Sequence, residues 1–142
     1  MRPDALNILV AEDNDESFVL TETVLQDERV WRARDGQDAL EMIQKQRFDV
    51  VFVDVHMPGM NGYEMIRSMR DWETRTGSVR TPMVVLSSDD VETQQRSAAE
   101  FGCSGFLKKP LERWEVMPAA RAAEVEALGG RRNRLPHPFL AG

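Results

Sequence analysis

The sequence is poor in cysteine, in histidine and in long hydrophobic runs, and each shortage excludes a class of protein. Its 142 residues include one cysteine, Cys103, so no disulfide can form within the chain. The two histidines, His56 and His137, and this cysteine are too few for the four ligands of a structural zinc site. No apolar run approaches the roughly 20 residues that a membrane-spanning helix needs. The N-terminus turns acidic almost at once, so we expect no secretory signal and a cytoplasmic location.

Basic charge is also scarce, and this argues against nucleic acid as a partner. The net charge is −6 and the isoelectric point is about 5.0, whereas proteins that bind nucleic acid gather Lys and Arg on one face. A hydrophobic content of 42% in 142 residues is sufficient for one buried core. We therefore predict one domain over residues 5–128. The basic, proline-containing segment 129–142 is predicted to be a flexible tail, with a docking peptide as the alternative.

Short apolar runs alternate with amphipathic stretches along the chain. This pattern predicts strands at residues 6–11, 29–33, 49–54, 82–87 and 105–108. It predicts helices at residues 15–27, 36–46, 63–72, 91–101 and 112–128. Five βα repeats indicate a parallel sheet with helices on both faces, and LNILVA, DVVFVD and PMVVLS have the continuous apolar character of doubly buried strands. Residues 73–81 are predicted to form an exposed loop, and Pro118 to kink or restart the last helix.

Reactive side chains follow several of the predicted strands. Glu12 and Asp13 follow the first strand, Asp54 ends the third, Ser87 ends the fourth, and Lys109 follows the fifth. Right-handed βαβ crossovers bring the carboxyl ends of parallel strands to one edge of the sheet, so we expect these groups to meet. The sequence therefore predicts carboxylates, a hydroxyl and an amine at a single site.

Clustered carboxylates of this kind suit Mg²⁺, a hard cation that prefers oxygen ligands and keeps several waters. Asp13 and Asp54 are the expected direct ligands. An ionised carboxylate such as Asp54 can attack phosphorus and form an aspartyl phosphate when a metal and a cation neutralise the transferring group. Lys109 would supply that cation, and the hydroxyl of Ser87 would hydrogen-bond the new phosphoryl oxygens.

The segments LVAEDN, VDVHMPGMNG, VVLSS and FLKKPL together resemble the receiver domain of bacterial response regulators over roughly residues 5–128. The resemblance implies a doubly wound, flavodoxin-like (βα)5 fold, with a five-stranded parallel sheet in the order 2-1-3-4-5. It implies that Asp54 is the phosphoacceptor and that the main-chain carbonyl of His56 is a further Mg²⁺ ligand. Glu12 is expected to reach the ion through water. It also implies a cis peptide bond before Pro110 and a switch formed by Ser87 and Phe106.

This family resemblance implies a signalling role. A histidine kinase or a histidine phosphotransfer protein would donate the phosphoryl group, and a face near the fourth helix, fifth strand and fifth helix would then recognise a downstream protein. The chain would assist its own phosphorylation and slow dephosphorylation without turning over an external substrate. His56 and Asp89 would flank the phosphoryl pocket. We expect a monomer or a weak homodimer, with no membrane contact.

Several other interpretations of the sequence stay open. The chain is also similar to the receiver portions of hybrid histidine kinases, so it could be part of a larger sensor. A receiver fold used as a constitutive scaffold usually loses the acceptor or the acidic pair, both of which are present here. A phosphatase of the haloacid dehalogenase type would need DxDx[TV] after the first strand, where this chain has EDNDE. Asp13 and Asp15 could serve merely as caps of the first helix. Nucleophilic chemistry at Cys103 is not indicated, because no recognisable base lies beside it in the sequence.

Overall fold

The computed structural model describes residues 3–133, and within them five strands alternate with five helices. The strands are β1 (Asn7–Ala11), β2 (Arg29–Ala33), β3 (Val50–Asp54), β4 (Met83–Ser87) and β5 (Gly105–Lys108). The helices are α1 (Asp15–Val24), α2 (Gly36–Lys45), α3 (Gly62–Thr76), α4 (Val91–Phe101) and α5 (Arg113–Asn133).

All neighbouring strands are parallel and lie in the order β2-β1-β3-β4-β5. This confirms the predicted doubly wound, flavodoxin-like topology. The chain order reverses between β1 and β3, and ligands of such folds bind beyond the carboxyl ends of the strands at this switch point. None of the helices within residues 3–133 is long and apolar enough to cross a bilayer.

The central strands are buried on both faces, as their continuous apolar sequences predict. Every residue of β3 and β4 is buried. One core lies on the side of α2, α3 and α4, where Met65 and Met69 are fully buried. The second lies under α1 and α5, where Phe52 belongs to the same cluster as small residues such as Ala120 and Ala123. Cys103 packs in the first core, as expected for a small apolar side chain.

The predicted exposed loop at residues 73–81 is wrong in its first half. Helix α3 continues to Thr76 and ends at Gly77, which has the left-handed conformation (φ 70°) that favours glycine at a helix end. Glu73 is completely buried. It accepts hydrogen bonds from Arg70 (3.0 Å) and from the backbone N–H of Thr81 (2.7 Å). Arg70 thus gives the buried carboxylate of Glu73 a charged partner. The sequence alone suggested that Glu73 was exposed to solvent.

Two further helix ends differ from the prediction. Helix α1 ends at Val24, three residues early. Helix α5 is unbroken from Arg113 to Asn133, so the predicted end at residue 128 is wrong and the helix does not restart at Pro118. The alternative, a kink at Pro118, stays a prediction. Val116 and Ala120 are buried on either side of Pro118, so packing holds both turns in place despite the lost backbone hydrogen bond. Helix therefore includes residues 129–133 of the predicted tail, and residues 134–142 lie outside the described part of the chain.

Candidate functional site

Three carboxylates meet at the carboxyl edge of the sheet. Glu12 and Asp13 directly follow β1, and Asp54 is the last residue of β3. One carboxylate oxygen from each of the three lies within 4.8 Å of the others. Glu12 and Asp54 are buried and Asp13 is exposed. The cluster thus combines two carboxylates in a low-dielectric setting with one that is open to solvent.

Helix starts placed directly after the strands explain why these acids stay close together. Asn14 caps α1 by accepting a hydrogen bond from the backbone N–H of Ser17 at 2.8 Å, so the connection from β1 is very short. The cap is therefore Asn14, and the interpretation of Asp13 or Asp15 as the capping residue is wrong. At the third strand, a Cβ on Gly62 would lie 2.5 Å from the backbone oxygen of Asp54. Only glycine lets α3 begin this close to the end of β3.

The ammonium of Lys109 lies within the carboxylate cluster. Its Nζ donates to Oε1 of Glu12 at 2.7 Å and to Oγ of Ser17 at 2.9 Å, and it lies 3.4 Å from Oδ1 of Asp54. The backbone N–H of Lys109 donates to the carbonyl of Ser87 at 2.9 Å. The peptide bond from Lys109 to Pro110 is cis, as the family resemblance implies. The lysine charge is thus shared between two carboxylates.

Burial and like charge give the two buried acids different pKa values. Burial, a hydrogen bond with Glu12 and the charge of Glu12 raise the pKa of Asp54 to about 6. Burial also disfavours the ionised form of Glu12. Its hydrogen bonds with Lys109, Ser17 and Asp54 nevertheless lower its pKa overall. Below about pH 6 the metal-free protein therefore carries a proton on Asp54, while Glu12 is ionised against the lysine.

The fourth strand brings a hydroxyl next to the acids. Leu86 is the register partner of Asp54, so Ser87 lies one residue beyond it, fully buried, and its Oγ accepts from the backbone N–H of Asp89 at 3.0 Å. Phe106, on β5, is half-buried and packs against the first core. Both predicted switch residues are therefore in the described structure, one beside Asp54 and one on the edge strand.

His56 and Asp89, which were expected only to flank the site, form a direct pair. Nε2 of His56 lies 2.6 Å from Oδ2 of Asp89, and the pair joins the loops that follow β3 and β4. The backbone N–H of His56 donates to Oδ1 of Asp54 at 3.3 Å. Gln94 also reaches Asp89, at 3.4 Å, which links the pair to α4.

Sequence reasoning missed Arg32, which supports the acidic loop from the neighbouring strand β2. Its Nε donates to the carbonyl of Glu12 at 3.1 Å, and its Nη1 pairs with Asp15 at 2.8 Å. The guanidinium also lies over the ring of Phe18, 4.6 Å from the centroid. A pattern search could not find it, because a strand arginine 20 residues away has no fixed spacing from the acids.

The residues present fit a hard divalent cation. Carboxylate oxygens are the ligands such an ion prefers, and an exposed Asp13 leaves room for the waters that Mg²⁺ retains. Receiver domains generally bind Mg²⁺ at an acidic pocket of this kind. Metal ligation through histidine finds no support at this site, since the His56 side chain is paired with Asp89 and His137 lies outside the described residues.

Comparison with known proteins agrees with this geometry. Residues 8–121 match the family model described as the response regulator receiver domain. The sensor histidine kinase GacS of Pseudomonas protegens is 32% identical over 109 residues, which are 75% of this chain and 12% of that protein. The response regulator PleD of Caulobacter vibrioides is 34% identical over 120 residues, 83% of this chain and 25% of that protein. The chain thus spans about an eighth to a quarter of these curated relatives.

Solved structures show the same fold. The chemotaxis response regulator CheY4 of Vibrio cholerae superposes with a TM-score of 0.71 at 27% identity, covering 84% of this chain and 98% of that one. The receiver domain of Saccharomyces cerevisiae Ssk1, solved with the phosphotransfer protein Ypd1, superposes with a TM-score of 0.76 at 22% identity, covering 87% and 92%. Fold, acidic site and family match together place this chain in the response regulator receiver domain family, the phosphoacceptor signalling domains of two-component systems.

Proposed function

We propose that Asp54 accepts the phosphoryl group in this receiver domain. The observation that carries the proposal is the placement of one buried strand-end carboxylate within 4.8 Å of two further acids and 3.4 Å from a lysine ammonium. In the transfer, an Asp54 oxygen forms the new O–P bond while the donor's bond to phosphorus breaks. The leaving group, an imidazole or a small carboxylate, keeps the electron pair of that bond.

Neutralisation of charge is the main requirement of this step, since both the acceptor and the transferring group are anionic. Asp13 and Asp54, with the main-chain carbonyl of His56, would hold Mg²⁺, and Glu12 would reach it through water. When bound, the ion supplies positive charge to the phosphoryl oxygens. Lys109 supplies a second positive charge 3.4 Å from Asp54.

The switch would begin at Ser87. A phosphoryl group on Asp54 offers new acceptor oxygens, and the hydroxyl of Ser87 turns toward them and leaves its contact with the N–H of Asp89. The space vacated next to β5 lets Phe106 move inward from its half-buried position. The face formed by α4, β5 and α5 changes as a result, and a downstream protein reads this change.

The donor would be a histidine kinase or a phosphotransfer protein that docks on α1. Val19 and Leu20 are exposed by 54% and 65%, although both are large apolar residues. Leu20 also borders an apolar pocket of about 370 Å³ next to Lys109 and Pro110. An apolar surface beside the acceptor suits a helix that presents a phosphohistidine. The similarity to the receiver solved with Ypd1 supports this class of donor.

A role as the receiver portion of a hybrid histidine kinase is the second candidate. It is favoured by the relatives, since GacS and the sensory/regulatory protein RpfC of Xanthomonas campestris match over segments that are 12% and 15% of their lengths. The same acceptor chemistry would then serve an internal phosphorelay. Sequencing the flanking coding region distinguishes a free-standing regulator from a segment of a kinase.

Intact-mass measurement with acetyl phosphate tests the proposed function. We expect a gain of one phosphoryl group that requires Mg²⁺ and is absent in Asp54→Asn. Replacement of Asp71, an exposed aspartate on α3, by Asn serves as the matched control and should leave the gain unchanged. Equal incorporation by the Asp54 variant would refute the assignment. Slow decay of the modified species after removal of the donor would establish autodephosphorylation.

A further inference from the structure

Ser17 contacts the lysine of the site, although nothing in the sequence pattern singles it out. Its Oγ accepts a hydrogen bond from Nζ of Lys109 at 2.9 Å. The same ammonium donates to Oε1 of Glu12 at 2.7 Å. Ser17 is fixed on the first turn of α1, because its backbone N–H donates to the side chain of Asn14 at 2.8 Å. The ammonium of Lys109 is thus held by the Ser17 hydroxyl and by the carboxylate of Glu12.

We propose that Ser17 is a positioning residue that holds the ammonium of Lys109 in place for phosphoryl transfer to Asp54. This inference rests on the proposed function and adds a residue to it. Ser17 touches neither the acceptor nor the transferring group. It acts through Lys109, which it keeps in contact with Glu12 at 2.7 Å and 3.4 Å away from Asp54.

The physical reason lies in the lysine side chain. A lysine carries its charge on a flexible four-carbon stem, so contacts from one side alone leave the ammonium free to move. Glu12 and Asp54 both attract it, and Ser17 anchors it without adding negative charge. Without the hydroxyl, Lys109 either loses its fixed position or moves onto Asp54 and neutralises the nucleophile. Both changes slow transfer to Asp54.

The expected loss is modest. Ordering a long side chain costs about 0.5–1.5 kcal/mol, which corresponds to about 2- to 10-fold in rate. We therefore expect Ser17→Ala to lower the rate of phosphorylation by acetyl phosphate about 2- to 10-fold at saturating Mg²⁺. Ser17→Thr keeps the hydroxyl and should restore at least half of the rate. Mg²⁺ affinity, measured by calorimetry, should stay within about twofold, because the carboxylate cluster is intact.

Thr23→Ala is the matched control on the same helix. The hydroxyl of Thr23 is exposed and donates to the carbonyl of Val19 at 2.8 Å, so its loss should leave the phosphorylation rate unchanged. A double-mutant cycle with Lys109→Ala separates positioning from a general effect on folding. If Ser17 acts through the lysine, Ser17→Ala causes no further loss in the Lys109→Ala background. An unchanged rate in Ser17→Ala, or an equal loss in both backgrounds, would overturn the inference.

NMR of the metal-free protein tests the positioning without any phosphorylation. The Cε–H signals of Lys109, identified by their loss in Lys109→Ala, should shift in Ser17→Ala and stay in place in Thr23→Ala. Unshifted signals in Ser17→Ala would refute the role of Ser17 even if Asp54 is phosphorylated. Absence of phosphoryl uptake by the native chain, together with shifted lysine signals, would instead refute the proposed function and leave the positioning role supported.

Discussion

The ammonium of Lys109 and the carboxylate of Glu12 form a direct ion pair at 2.7 Å, which keeps the lysine charge partly away from Asp54. Asp54 lies farther from the same ammonium, at 3.4 Å, and is buried next to an ionised neighbour. Its pKa of about 6 follows first from that burial and then from Glu12. Several measurable properties of the metal-free and metal-bound protein depend on this arrangement.

The first prediction concerns the pH dependence of metal binding. Below about pH 6 Asp54 holds a proton that competes with a cation, so Mg²⁺ affinity should fall as the pH is lowered through 6 and should level off above 7. Titration calorimetry between pH 5 and 8 measures this. Asp54→Asn should show weaker binding with a flatter pH profile. An affinity that is constant from pH 5 to 8 in the native chain would contradict the assignment of Asp54 to the metal site.

The second prediction concerns stability without metal. Because its pKa is raised in the folded state, Asp54 stabilises the fold while protonated and loses this contribution as the pH rises through about 6. Asp54→Asn should therefore raise the free energy of unfolding of the metal-free chain by about 1–3 kcal/mol at pH 8, and by less at pH 5. Urea unfolding in EDTA measures it, with Asp71→Asn as the control. A destabilised Asp54→Asn at pH 8 would count against the burial argument.

The third prediction separates Asp13 from the buried acids. Asp13 is exposed, so Asp13→Asn should cost little folding free energy while it weakens Mg²⁺ binding by at least about 10-fold. Calorimetry and thermal unfolding of the same sample measure both effects. Asp38→Asn changes an aspartate at the start of α2, outside the acidic cluster, and should leave Mg²⁺ affinity unaltered. Native affinity in Asp13→Asn would remove Asp13 from the ligand set.

The fourth prediction tests the docking face on α1. Leu20→Glu places a charge on the proposed apolar contact, so phosphotransfer from a cognate histidine donor should slow about 10-fold or more. Phosphorylation by acetyl phosphate, which needs no docking helix, should be unchanged. Val125→Glu alters an equally exposed apolar residue, on α5, and serves as the control. Equal slowing with both donors would indicate damage to the acceptor site instead.

The fifth prediction concerns the buried pair at the opposite end of the sheet. Glu73 is fully buried against Arg70, so Glu73→Ala leaves a buried guanidinium without its counter-charge and should cost about 3–5 kcal/mol. Glu126 is a partly exposed partner of Arg80. Glu126→Ala should therefore lower the free energy of unfolding by only about 1 kcal/mol or less. Urea unfolding compares the two. Similar small losses in both would mean that Glu73 is not the buried partner of Arg70.

Prediction from the sequence succeeded where the signal was local. The apolar runs of β3 and β4, the five βα repeats and the burial of Met65 and Met69 follow from periodicity and composition within a few neighbouring residues. Errors occurred where tertiary contacts override local preference. Glu73 extends α3 because Arg70 and Thr81 satisfy its carboxylate, and α5 passes through Pro118 because buried residues on both sides hold it.

The candidate site shows the same contrast between features that local sequence predicts and contacts that the tertiary fold sets. Local patterns in the sequence identify the reactive groups, the strand ends on which they lie and the family to which the motifs point. The folded structure is needed to learn that Lys109 bonds Glu12 and Ser17, that His56 pairs with Asp89, and that Arg32 holds the acidic loop. These contacts join residues between 20 and 97 positions apart. Residues so far apart in the sequence leave no local pattern that predicts their contact. The packing of the sheet and its helices determines which of these side chains meet.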